Sequence, residues 1–130
     1  MSHFRCTCGH RINDQTDFLP YKAHFLPDED TEAPLENGVN IVVGYIEARE
    51  RGEEEQFLNE HKHWLKSRDL REIVNSLLQP PAFYYGRNMY ECEECGRIWM
   101  EAKAHANRFE SYLPESDARG VLRSDGVRDN

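Results

Sequence analysis

The chain has 130 residues, which suits a single domain, and its hydrophobic fraction of 38% allows a modest core. Charged residues make up 31% and the mean hydropathy is −0.83, so we expect a heavily solvated surface. The net charge of −8 disfavours nucleic acid and anionic membranes, which both select basic surfaces, and favours a basic protein as the partner.

The compartment is inferred from two absent signals. No apolar run reaches the roughly 18 to 20 residues that a membrane-spanning helix needs. The first residues also lack the apolar stretch of a secretory signal. We therefore expect a cytoplasmic protein whose cysteines stay reduced.

The first predicted element is a turn that carries two cysteines, Cys6-Thr7-Cys8-Gly9. A long insertion follows, from residue 9 to residue 91. Its first part, residues 13–34, contains three prolines and is predicted to be irregular. Phe18, Tyr21 and Phe25 are expected to anchor it in the core.

Three helical stretches are predicted in the rest of the insertion. Residues 39–49 fit a helix better than a strand, although the β-branched run at 41–43 leaves a strand open. Two further apolar stripes have helical spacing: Phe57, Leu58, His61, Trp64 and Leu65, and then Leu70, Ile73, Val74, Leu77 and Leu78. Asp69 and Glu72 are expected to cap the last helix, and Pro80-Pro81 to end it.

The second cysteine turn, Cys92-Glu93-Glu94-Cys95-Gly96, lies between two strand-like segments, residues 88–91 and 97–100. A further strand is predicted over residues 107–113, where apolar and polar residues alternate up to a proline. The tail, residues 115–130, is polar with few apolar residues and is predicted to be mobile.

The four cysteines, Cys6, Cys8, Cys92 and Cys95, are predicted to bind one structural Zn²⁺ ion. Structural zinc takes four ligands in a tetrahedron, and two cysteines followed by a glycine let one tight turn aim both sulfurs at one point. The second pair has the full two-residue spacing, whereas the first is one residue shorter. A closed shell of four thiolates leaves no position for water or substrate, so the metal is expected to stabilise the fold and not to catalyse.

These residues resemble the zinc-ribbon group of folds, in which two cysteine turns on β-hairpins clamp one metal ion. The resemblance covers residues 4–12 and 88–113 and implies structure more than activity. It predicts an α+β fold, with a zinc-ribbon-like antiparallel sheet and a long, mainly helical insertion between the two cysteine turns. Residues 1–114 are expected to form one domain, followed by the tail.

Other interpretations of the cysteines stay open. A thioredoxin-like redox pair needs a strand-to-helix turn, whereas strand-like residues flank Cys92 and Cys95 on both sides. Disulfide bonds are disfavoured in a reducing compartment, and four unliganded buried thiols are a further alternative. His10, two residues past Cys8, could replace one cysteine as a ligand.

No motif predicts an enzyme. His61 and His63 lie two residues apart and point to different faces of a helix, whereas a zinc protease needs histidines four residues apart on one face. The sequence also lacks a glycine-rich phosphate loop, a nucleophile elbow and a calcium-binding loop. We therefore expect a non-catalytic, protein-binding module.

The clustered acidic residues form the candidate partner surface. They are Asp28, Glu29, Asp30, Glu32, Glu53, Glu54 and Glu55. In size, charge and lack of catalytic residues the chain resembles in type the immunity proteins that bacteria keep against polymorphic toxins, which implies neutralisation of a basic toxin. The alternative is a zinc-ribbon accessory of transcription or other nucleic-acid machinery, although Glu93 and Glu94 place two carboxylates where phosphates would approach.

Overall fold

The computed structural model describes residues 3–103 and 107–125, without the side chains of residues 80–85. Within these ranges it contains three α-helices and six β-strands, all paired antiparallel, which confirms the expected α+β class. The chain forms two compact units. We call Met1–Phe25 with Arg87–Asn130 the sheet unit, and Leu26–Gly86 the helical unit. None of the described helices is long and apolar enough to cross a membrane.

The sheet unit contains two antiparallel sheets. The small sheet is a hairpin of β1 (His3–Arg5) and β2 (Arg11–Asn13), with Phe4 opposite Ile12. The larger sheet has four strands in chain order: β3 (Lys22–Phe25), β4 (Arg87–Glu91), β5 (Ile98–Glu101) and β6 (Phe109–Tyr112). The strand expected within residues 107–113 is therefore confirmed as β6.

The stretch predicted to be irregular contains β3. Its four residues are too few to show the alternation that identifies a strand, and its pairing partner is distant in sequence, since Lys22 lies opposite Tyr90. Phe18 is also not the core anchor that we expected, because its side chain is wholly exposed and its backbone has φ of 61°.

Aromatic rings and cysteine sulfurs share the core of the sheet unit. The half-buried Phe4 packs against it, with its ring 5.3 Å from that of Tyr90 and 5.5 Å from that of Trp99. The buried members are Cys6, Ile12, Tyr90 and Cys92. This core is small, and two of its four buried side chains are cysteines. Domains with so small a core usually need a further stabilising link, such as a disulfide or a metal ion.

The helical unit consists of α1 (Glu32–Glu50), α2 (Glu54–His61) and α3 (Leu70–Tyr85), with a 3₁₀ turn before α1 and another after α2. The preference for a helix over residues 39–49 is confirmed. The core of this unit is formed by Tyr45, Leu58, Leu65, Ile73 and Leu77. Burial and the hydrogen bond from Tyr45 to Glu54, 2.5 Å long, raise the pKa of the tyrosine to about 12.

The apolar stripe predicted over residues 57–65 does not form one continuous helix. The chain breaks at Lys62, with φ −148° and ψ 83°, so α2 ends and the 3₁₀ turn His63–Leu65 follows. Leu65 is buried as expected, whereas Trp64 leaves 57% of its surface exposed. The pattern has helical spacing because α2 and the 3₁₀ turn bury Leu58 and Leu65 in the same core.

The start of α3 matches the prediction, but its end does not. The Asp69 carboxylate accepts a hydrogen bond of 2.8 Å from the Glu72 backbone N–H, as an N-cap should. The helix then continues past Pro80-Pro81 to Tyr85. Because proline has no N–H, Pro80 leaves the carbonyl of Ser76 without its helical donor. The Nζ atom of Lys62 donates to this carbonyl over 2.6 Å, which compensates for the missing bond.

We predict that Lys62→Met destabilises the protein by about 1–3 kcal/mol, because it leaves the Ser76 carbonyl without a donor. The measurement is the free energy of unfolding in urea. Lys66→Met is the matched control, since Lys66 makes only a half-exposed ion pair with Glu55 and its loss should cost less than about 1 kcal/mol.

A double-mutant cycle makes this test sharper. Pro80→Ala restores an N–H to the helix, so Lys62→Met should cost less in that background than in the native chain. An equal cost in both backgrounds would contradict the compensation by Lys62.

Candidate metal centre

The β1–β2 hairpin builds the first cysteine turn. The Cys6 N–H donates to the His10 carbonyl over 2.9 Å, and the Gly9 N–H donates to the Cys6 carbonyl over 2.9 Å. Gly9 has φ of 97°, a conformation that side chains with a Cβ rarely adopt. The short spacing therefore still closes a tight turn that carries both sulfurs.

The β4–β5 hairpin builds the second turn in the same way. The Cys92 N–H donates to the Arg97 carbonyl over 2.9 Å, and the Gly96 N–H donates to the Cys92 carbonyl over 2.8 Å. The Cys95 N–H points at the Cys92 sulfur over 3.5 Å. Backbone donors to a sulfur favour its thiolate form, which is the form that binds metal.

The two turns bring all four sulfurs to one point. The sulfurs of Cys6, Cys8, Cys92 and Cys95 all lie within 4.8 Å of one another, so this cluster could hold a metal ion. Two of these pairs join one turn to the other: Cys6 lies 3.5 Å from Cys95, and Cys8 lies 3.5 Å from Cys92.

These distances fit metal ligation better than disulfide bonding. Four sulfurs about 2.3 Å from a tetrahedral ion lie about 3.8 Å from one another. The distances of 3.5 Å between the two turns are close to that value and far from the roughly 2.05 Å of a disulfide. All four cysteines are free thiols. His10 is not part of the cluster.

Burial and hydrogen bonding act differently on the two buried thiols. Burial raises the pKa of Cys92 to about 12, and the neighbouring sulfurs act in the same direction. Burial also raises the pKa of Cys6, but hydrogen bonds from the Cys8 backbone and the Trp99 indole outweigh it and lower that pKa to about 6. A cation at the centre would favour the thiolate form of both.

Trp99 places a buried donor beside the sulfurs. Its indole nitrogen is buried and has no conventional hydrogen-bond partner in the described part of the chain. It acts on the pKa of Cys6 as a donor near the sulfur. An N–H group directed at a thiolate supports metal ligation, because outer partners of this kind orient the ligands of metal sites.

A segment near the end of the chain packs against the second turn. Glu91, next to Cys92, is 2% exposed, and its carboxylate accepts hydrogen bonds from the backbone N–H groups of Gly120 and Leu122 over 2.8 and 3.4 Å. Arg119 donates to the Glu94 carbonyl over 3.2 Å. These backbone contacts have no signature in sequence, since any residue can supply them.

Position 96 requires a glycine for two reasons, its backbone conformation and the close approach of this segment. Its φ is 80°, and a Cβ built there would lie 3.1 Å from the Ala118 carbonyl oxygen and closer still to Arg119.

The predictions that residues 1–114 form one domain and that the tail is mobile stay predictions.

The structure places the acidic candidates in the helical unit and the cysteines in the sheet unit. The acidic candidates form two clusters, residues 28–32 and residues 53–55. Each carboxylate of the second cluster forms an ion pair: Glu53 with Arg51 at 3.0 Å, Glu54 with Arg49 at 3.4 Å, and Glu55 with Lys66 at 3.6 Å. No ion pair within the described ranges involves Asp28, Glu29, Asp30 or Glu32. Residues 28–32 therefore carry most of the unneutralised charge of the two clusters.

We predict that Cys92→Ser reduces the bound metal from one ion per chain to near zero, because a hydroxyl replaces a buried thiolate ligand. Elemental analysis of the purified protein and native mass spectrometry measure this ratio. His10→Ala is the matched control and should keep one ion per chain. A full ion in the Cys92→Ser protein would show that the four-sulfur site is wrong.

We also predict that Trp99 reports on the site through its fluorescence. In a Trp64→Phe variant, Trp99 is the only tryptophan, and Co²⁺ bound to the sulfurs should quench at least half of its emission, because the sulfur-to-cobalt charge-transfer bands absorb in the near ultraviolet where tryptophan emits. Zn²⁺ is the matched control, since it has no such bands. Equal emission with both ions would place the metal elsewhere.

Comparison with curated proteins and with solved structures finds no match in either group. A family model matches residues 2–116, which include all four cysteines, all three helices and all six strands described above. The chain therefore belongs to the family described as Domain of unknown function (DUF8617).

Proposed function

We propose that this chain is a non-catalytic protein-binding module of the cytoplasm, stabilised by a structural Zn²⁺ ion on Cys6, Cys8, Cys92 and Cys95. The observation that carries the proposal is the convergence of four sulfurs within 4.8 Å. Four thiolates complete a tetrahedral shell and leave no coordination position for water or substrate. This donor set favours a scaffold role and disfavours a catalytic one.

Zinc suits the donor set better than magnesium or calcium does. Thiolates are soft ligands that select zinc or iron–sulfur chemistry, whereas magnesium and calcium take oxygen ligands. On this proposal the sheet unit is zinc-ribbon-like, with the metal joining the β1–β2 hairpin to the β4–β5 hairpin. Comparable peptide sites contribute apparent free energies of about 10–16 kcal/mol, which is enough to decide whether so small a core folds.

The surface charge supports a protein partner over nucleic acid. Glu93 and Glu94 are exposed in the second cysteine turn, and a shell of four thiolates around a divalent ion is itself anionic. Phosphate contacts need lysine and arginine instead. A zinc-ribbon accessory of nucleic-acid machinery is therefore the less favoured function.

Within the helical unit, residues 28–32 are the favoured contact surface. Asp28, Glu29 and Glu32 are exposed and have no ion pair among the described residues, so a basic partner can neutralise them without breaking an existing bond. Glu53, Glu54 and Glu55 would have to exchange their own cations first. Neutralisation of a basic toxin, as immunity proteins perform, is the role that this chemistry suits best.

We predict that the triple variant Asp28→Asn, Glu29→Gln, Asp30→Asn weakens binding of the captured partner at least tenfold, because it removes three carboxylates from the contact surface. The partner is first isolated from the native host by affinity capture, and its Kd is then measured by calorimetry. The matched control, Glu47→Gln, Glu50→Gln, Glu60→Gln, removes the same charge from exposed positions outside both clusters. Equal Kd values for the two variants would exclude residues 28–32 as the contact surface.

A further inference from the structure

The α1 helix presents apolar side chains to solvent along one side. Leu35 is 71% exposed, Val39 51%, Val43 44% and Ile46 46%. A different side of the same helix supplies the buried residue Tyr45 to the core of the helical unit. The exposed stripe is therefore additional to the face that folds the unit.

Residues of α3 lie beside this stripe. Leu78 is 45% exposed and, with Val74, lines a groove with α1 residues. This groove of about 390 Å³ lies between the two helices, and its lining is entirely non-polar in residue type: Pro34, Leu35, Gly38, Val39, Val42, Val43, Val74 and Leu78. An exposed groove with a wholly apolar lining, on a chain with 31% charged residues, favours an interaction site.

The spacing of the stripe indicates what kind of surface it fits. Three members of the stripe, together with the half-buried Val42 of the groove, follow the repeat of a helix that packs side chains into the gaps of another helix. Leu35, Val39, Val42 and Ile46 are separated by four, three and four residues. An extended peptide has a two-residue period and would not match this repeat.

We propose that the α1–α3 face binds a second copy of this chain, with the two α1 helices antiparallel across a two-fold axis between Val39 and Val42. In this arrangement Val39 faces the second copy's Val42, and Leu35 faces its Ile46. Such an interface is self-complementary, as a two-fold interface must be.

The charges at the two ends of the stripe select this orientation. In the same register Glu32 faces the second copy's Arg49, so each end carries one carboxylate against one guanidinium. Of the acidic residues 28–32, only those at 28–30 then stay available to a basic partner. A parallel pair would instead set Glu32 against Glu32 and Arg49 against Arg49. Arg49 contacts Glu54 at 3.4 Å but leaves 44% of its side chain exposed, so it can accept a second carboxylate.

The first test is the mass of the full-length, metal-loaded protein by sedimentation equilibrium. The expected mass is twice the 15.3 kDa of one chain, and Val39→Glu should raise the dimer Kd at least tenfold. Asn40→Glu adds the same charge at the next exposed position of α1, off the stripe, and should leave the Kd unchanged. A native chain that stays monomeric at its highest soluble concentration, or equal Kd values for the two variants, would overturn the proposal.

The second test addresses the orientation. Glu32→Arg and Arg49→Glu should each weaken the dimer, and the double variant should regain most of the affinity, because the opposite charges still face each other. Circular dichroism confirms that each variant keeps its helices. A double variant that is weaker than both single variants would exclude the antiparallel register.

Discussion

Convergence of four sulfurs from two distant hairpins is the constraint on which the sheet unit depends. Cys6 and Cys92 occupy the same buried core as Ile12 and Tyr90, so the ligands of the candidate metal are also core side chains. With thiols alone, this core would contain Cys92 as a buried polar group whose pKa burial raises to about 12. With a cation, the same group becomes the link between hairpins. Binding of a metal ion by these four sulfurs would therefore be coupled to formation of the core.

The helical unit has a conventional core, and its irregularities are compensated locally. Tyr45 is fully buried, and its hydroxyl donates to Glu54. Two prolines interrupt the donors of α3, and the side chain of Lys62 supplies one of the missing bonds. The sheet unit differs, because the buried nitrogens Arg87 Nε, Arg97 Nε and Trp99 Nε1 have no conventional hydrogen-bond partner among the described residues.

Sequence patterns predicted the parts of the fold that rest on local chemistry. The cysteine turns, the cap at Asp69 and the helix over residues 39–49 all follow from spacing within a few residues. Some of the missed features are local, such as the break at Lys62, but two others depend on partners far along the chain. Strand β3 exists because β4 lies beside it, and Gly120 donates to Glu91 through a backbone N–H that any residue would supply. Such contacts carry no periodicity, so no single-sequence pattern identifies them.

The register of β3 and β4 has a consequence for how this architecture can vary. Phe25 and Arg87, the residues that flank the helical unit, are opposite each other in an antiparallel pair, so their Cα atoms are about 5 Å apart. A two-residue hairpin loop can bridge the same gap. A longer, different or much shorter segment could therefore replace the helical unit without changing the register of β3 and β4. The cluster of four sulfurs would keep its geometry.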